Sequence, residues 1–165
     1  MIMYMGKPED YTEEKIKERI KKEPNYIENY IILSECYQKN GKGIKDVFEP
    51  IEYVETNFTN GKYQEEIWTR KIDIYCGYGD INFNKGQYEQ ALEKYYIAWK
   101  LAKECIEEEK MKNILDYDLE TISEYSLSDL IYNMNLIYEK LGKEYKEEKE
   151  KFKREVWNLL KLEIK

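Results

Sequence analysis

Cys36, Cys76 and Cys105 are the only thiols in this sequence, and thiols are its strongest candidate nucleophiles and soft metal ligands. Their spacing argues against both tasks. The three are far apart, none belongs to a CxxC pair, and the chain contains no histidine. Neither a zinc-type ligand set nor a disulfide framework is expected, and three semi-buried thiols in a reduced compartment is the simpler reading. The lack of histidine also removes the usual general base. Gly77-Tyr78-Gly79 echoes a phosphate-cradling loop, but it falls inside a helical pattern with no strand before it. The expectation is therefore a non-catalytic chain with no metal site and no cofactor.

Charge is the chemistry that remains. Asp and Glu number 34 against 27 Lys and Arg, for a net charge of −7. A nucleic-acid binder needs a basic face, and no stretch is basic enough: residues 142–165 hold eight cations against six anions. Residues 104–124 hold eight acids against Lys110 and Lys112, a net of −6. That segment reads as a solvated linker and helix end or as a docking strip for a cationic protein, with Tyr117 set among acids as a decoy for a basic surface. The longest uncharged run, Leu130 to Tyr138, is nine residues, far short of the ≈ 20 that span a membrane. Met1 to Gly6 lacks a basic leader region. A cytoplasmic protein that binds neither membrane nor nucleic acid is expected.

The elements that must carry these groups are helices. Three prolines and eight glycines leave long uninterrupted segments. Seventeen tyrosines against four phenylalanines suit thin helical walls, where a ring is buried and its hydroxyl stays wet. Apolar residues recur three and four apart along nearly the whole chain, which predicts an all-α fold of about seven helices. A first helix is expected over 9–22 with Asp10 as its cap, stopped by Pro24. Turns are expected at Gly41, at Thr59 to Tyr63, at Gly86 and at Gly142, and Pro50 predicts a kink or a restart within the run from Ile44 to Phe58. A long helix is expected from Gln87 to about Leu115. Trp68, Trp99 and Trp157 fit core and interface equally well.

Around Gly86 the pattern sharpens. Tyr75 and Gly79 precede it, and Tyr88, Ala91, Tyr95 and Ala98 follow at offsets of two, five, nine and twelve. This alternation of small and aromatic residues resembles the tetratricopeptide repeat (TPR), a helix-turn-helix unit of about 34 residues. Pro24, Tyr30, Leu33, Ser34 and Tyr37 resemble a second copy around Gly41, although Asp46 or Val47 stands where its second helix should carry alanine. Ile131, Met134, Tyr138, Tyr145 and Phe152 resemble a third around Gly142, with Glu148 at the alanine position. The turn glycines lie 45 and 56 residues apart, so the array is irregular. One domain over 1–165 is expected, with repeats at 24–60, 63–115 and 119–164.

The resemblance implies that antiparallel hairpins stack as a short right-handed array, with Gly79 facing Ala91, Ala98 admitting the next helix, and Tyr75, Tyr88 and Tyr95 wedged between. It also implies a concave face built from the first helix of each repeat. Glu28, Ile31, Glu35 and Gln38 would line it in the first repeat, Asp73, Cys76, Asp80 and Phe83 in the second, and Asp129, Tyr132, Leu136 and Glu139 in the third. The cationic clamp that some members use for a partner's carboxylates is missing, because Ile31, Glu35, Gly77, Asp129 and Asn133 occupy the matching places. A basic or amphipathic protein or peptide segment is therefore the expected partner of an adaptor or scaffold. The alternative is an acidic inhibitor of the immunity type that neutralises a basic toxin or enzyme. The bias toward Lys, Ile, Tyr and Glu fits an AT-rich bacterial genome.

Overall fold

The computed structural model describes residues 12–58, 64–107, 127–161 and 164. Among them the fold is all-α. Seven α-helices follow in order: α1 (Glu13–Lys22), α2 (Ile27–Lys39), α3 (Ile44–Asn57), α4 (Gln64–Asn84), α5 (Tyr88–Glu107), α6 (Leu127–Leu141) and α7 (Lys146–Leu160), with a 3-10 turn over Lys143–Tyr145 before α7. Asp10, the turn from Thr59 to Tyr63, and most of the acidic stretch 104–124, Tyr117 included, lie outside the described residues. So do 108–115, the far end of the expected long helix, and 119–126, the start of the third expected repeat.

Local chemistry accounts for the helix ends. Thr12, not Asp10, caps α1, its side chain accepting the Lys15 N–H at 3.4 Å. Glu13 and Glu14 open that helix and Arg19, Lys21 and Lys22 close it, matching the helix dipole. Gly41 and Gly86 end α2 and α4 with φ of 74° and 73°, a conformation that glycine alone adopts without strain. After each, the next N–H reaches back five residues: Lys42 to the Tyr37 carbonyl at 3.0 Å and Gln87 to the Asn82 carbonyl at 2.9 Å. The glycine N–H itself bonds three residues back, to Gln38 at 3.1 Å and Phe83 at 2.9 Å. These paired bonds satisfy carbonyls that the helix leaves orphaned.

Of the kink or restart that Pro50 predicts, the restart does not occur; α3 runs through it from Ile44 to Asn57. Proline removes one helix hydrogen bond and pushes on the carbonyl four residues back. Ser34 of α2, fully buried, donates its hydroxyl to the Val47 carbonyl at 2.7 Å and so ties α2 to α3 in the turn before the proline. Pro50 is itself buried beside Val47, Ile51 and Val54 on the apolar side of α3.

Contacts divide the chain into two compact units, Met1–Ile67 and Trp68–Lys165. In the first, α2 packs on both α1 and α3. Ile16, Ile27, Ile31, Val47, Ile51 and Val54 are buried there. Tyr30 stacks on Tyr53 with ring centroids 5.1 Å apart and meets Phe58 at 6.0 Å, while its hydroxyl donates to the Pro24 carbonyl at 2.8 Å.

In the second unit one core joins four helices: Ile72 and Cys76 from α4, Ala91, Tyr95, Ala98, Trp99 and Ala102 from α5, Leu130, Met134 and Ile137 from α6, and Phe152 and Val156 from α7. Tyr75 and Tyr88 pack against it while half-buried, and Tyr88 meets Phe83 edge-on at 5.6 Å. Gly79 makes room for an aromatic ring. A methyl carbon built on it would lie 2.6 Å from the Tyr95 ring, which supplies its three nearest atoms. The empty side-chain position at 79 holds an aromatic ring, and Tyr95 is only 1% exposed. Its hydroxyl donates to the Asp80 carboxylate one residue further along α4.

Gly79→Ala should therefore destabilise the protein by about 1–3 kcal/mol in urea unfolding, the usual cost of overpacking a filled core. The same change in a Tyr95→Leu background should cost clearly less. Equal costs in both backgrounds would mean that the ring does not set the constraint. Ser34→Ala should cost about 1 kcal/mol by removing the buried hydrogen bond that ties α2 to α3; an unchanged midpoint would show that this bond adds nothing to stability.

Candidate functional site

A helical stripe at i, i+3, i+4 and i+7 shares one face. On α5 the stripe beside Ala91 and Tyr95 is Glu89, Leu92, Glu93 and Tyr96, and α7 carries Glu148, Lys151, Phe152 and Glu155 at the same offsets. The two stripes line opposite sides of an open cleft of about 460 Å³ within the second unit. Tyr138 of α6 and Tyr145 of the 3-10 turn complete its lining. Each stripe spans about two helical turns, or about 10 Å.

The cleft has an apolar floor and an anionic rim. Leu92, Tyr138 and Phe152 are buried. The Phe152 ring meets Trp99 edge-on at 5.4 Å and Tyr138 at 5.9 Å, so the floor is continuous with the core. Two rim carboxylates are held in place: Glu155 accepts the Trp99 indole N–H at 3.1 Å, and Glu89 accepts the Tyr145 hydroxyl at 3.0 Å. Glu93 and Glu148 are exposed, and no hydrogen bond or ion pair engages either among the described residues. Four carboxylates thus face one ammonium, that of Lys151. The Tyr96 ring already draws a cation, with Lys100 Nζ 5.2 Å from its centroid.

This field acts on the phenols. Burial, helped by Glu148, Tyr96 and Glu155, pushes the Tyr138 hydroxyl up to about 12. The hydrogen bond to Glu89 raises Tyr145. Both phenols therefore stay neutral at ordinary pH, able to donate and to accept. The thiols contribute nothing here: none forms a disulfide, all three are buried, and burial raises both Cys36 and Cys76. Burial favours the thiol over the reactive thiolate.

None of the residues that the sequence places on a partner-facing surface lines this cleft. Glu28 and Glu35 lie half-buried on α2 of the first unit. Asp73, Asp80 and Phe83 lie half-buried on α4, where Asp80 accepts the Tyr95 hydroxyl and Phe83 packs against Tyr88 and the core. On α6, Asp129 is exposed, Leu136 is half-buried and Tyr132 is 65% exposed. Ile31 and Cys76, also placed on that face by the repeat resemblance, are buried instead. Gly86 is exposed at its turn, and Ala91 and Ala98 are fully buried. Trp99 is core, Trp68 is half-buried against the core, and Trp157 is 50% exposed. Sequence reasoning missed the cleft because it treated α5 and α7 as packing and solvated faces. The signal was present in the matched offsets of the two stripes, but it needs the helices side by side to become a site.

Tyr138 ionises with difficulty in the folded chain but near 10 when unfolded. A raised folded value gives stability that is complete below pH 10 and lost as pH climbs toward about 12. Tyr138→Phe should remove this part of the alkaline loss and delete one late-titrating group from the ultraviolet absorbance titration. A wild-type curve that matches the variant's after subtraction of one ordinary tyrosine would contradict the raised value.

No family model, no curated protein and no solved structure matches this chain in comparisons with known proteins.

Proposed function

We propose that this chain is a non-catalytic binding module for a basic or amphipathic protein segment, which docks in the cleft between α5 and α7. The observation that carries this reading is the pairing of an aromatic floor with a rim of four carboxylates against one lysine. A cationic segment would gain steering and register from Glu89, Glu93, Glu148 and Glu155, and its apolar side chains would gain buried contact on Leu92 and Phe152. An anionic partner would meet repulsion along both sides. The helical-repeat resemblance supports a role as an adaptor or scaffold.

The first helices of the hairpins offer a second surface. Exposed Asp129 and Tyr132, one turn apart on α6, favour it. The cleft is preferred because Asp80 and Phe83, two anchors of that other face, are already engaged within the protein.

The test is fluorescence anisotropy with a labelled peptide of lysine and leucine at helical spacing. A glutamate-for-lysine version serves as the control. Only the cationic peptide should bind, and its affinity should fall as ionic strength rises from roughly 0.01 M to 0.15 M, where the screening length shrinks from about 30 Å to about 8 Å. Glu93→Lys with Glu148→Lys should weaken binding about tenfold or more, and Asp129→Lys with Tyr132→Ala should leave it unchanged. Loss in the second pair alone would move the site to α6. Equal binding of both peptides, or of neither, would overturn the reading.

A further inference from the structure

Resting on that proposed cleft, we infer that its anchor is an arginine side chain of the partner, a guanidinium laid against the tyrosine-lined wall and forked between rim carboxylates, and that lysine is a poor substitute. Three features of the cleft separate the two cations. The first is desolvation. Leu92, Tyr138 and Phe152 form a floor without charge, with Tyr138 only 4% exposed. An ammonium is compact and strongly hydrated, and it gives up its water reluctantly over such a surface. A guanidinium is planar, more weakly hydrated, and stacks on aromatic faces.

The second is the ring set. Tyr96, Tyr138 and Tyr145 come from three different elements and line one cavity, and a planar cation is the kind that stacks on such rings.

The third is the arrangement of acceptors. Glu93 and Glu148 belong to opposite walls and carry no internal partner among the described residues. Glu89 and Glu155 are instead tethered by Tyr145 and Trp99. A guanidinium offers five N–H donors in a fixed fork that pairs with a carboxylate through two bonds, whereas an ammonium acts as a single point charge. The neutral phenol of Tyr138 adds a hydroxyl oxygen that can accept a further N–H. The cleft is also sized for a side chain and its neighbours: about 460 Å³ lies at the lower end of the range of ligand sites.

The experiment compares three capped hexapeptides, of arginine, of lysine and of citrulline, by isothermal titration calorimetry against the full chain. Arginine and lysine match in charge, and citrulline keeps the planar head without it. Hexa-arginine should bind about tenfold more tightly than hexa-lysine, and hexacitrulline should not bind measurably. In Glu148→Gln, an exposed change that spares the core, and in Tyr96→Leu, the gap between arginine and lysine should shrink to about threefold or less. Equal affinity for arginine and lysine peptides in the wild type would overturn the arginine anchor while leaving the basic-segment reading intact. Failure of both cationic peptides would overturn the anchor together with the cleft itself. A gap that persists undiminished in both variants would place any arginine preference elsewhere on the surface, and would also overturn the proposal.

Discussion

Tyr95 lies where Gly79 has no side chain, and much of the second unit's order depends on that fit. The ring occupies space that any larger residue at 79 would claim, and its hydroxyl engages Asp80 on the same helix. The pair fixes α4 against α5 in both separation and rotation. Once α5 is held by its Ala91, Tyr95, Ala98 and Ala102 side, the neighbouring stripe of Glu89, Leu92, Glu93 and Tyr96 has one direction left to face. The position of one wall of the cleft follows from a packing constraint on the neighbouring face of the same helix.

The opposite wall is held by a mixed contact. Phe152 of α7 anchors in the core against Trp99 and Tyr138, and the Trp99 indole reaches out to Glu155 at the rim. A core residue thereby orients a surface carboxylate. Tyr145 does the same for Glu89 from the short turn after Gly142. These tethers lower the number of conformations that two of the four glutamates can adopt, so less ordering is left for a partner to impose. Carboxylates crowded at one mouth repel one another, and that repulsion is relieved when a cation arrives.

Much of this was legible in the chain. Periodicity alone places the helices, because apolar residues recur at three and four and because Gly41, Gly86 and Gly142 stand where the chain must turn. Of the small-aromatic alternation from Gly79 to Ala98, Ala91, Tyr95 and Ala98 are among the most buried residues, while Gly86 is exposed and Tyr88 half-buried. The partner of Gly79 was not legible, since a sequence shows that a position is small without showing which neighbour needs the space. Of the two outcomes that Pro50 predicts, a kink or a restart, the restart does not occur, because α3 runs unbroken from Ile44 to Asn57. Asp80 read as a surface charge because nothing local reveals that Tyr95, fifteen residues on, donates to it. The cleft stayed hidden because its halves come from stripes 59 residues apart, and each stripe alone resembles an ordinary wet helix face.

The most direct test of the packing on which the rest depends is proton NMR of the folded protein at Gly79. A tyrosine ring in contact with a glycine displaces its α-proton resonances through the ring current, so the Gly79 Hα signals should lie well away from ordinary helical positions and show nuclear Overhauser contacts to the Tyr95 ring protons. Hα signals at ordinary helical positions, with no cross-peaks to Tyr95, would contradict the placement of the ring and the orientation of α5 derived from it.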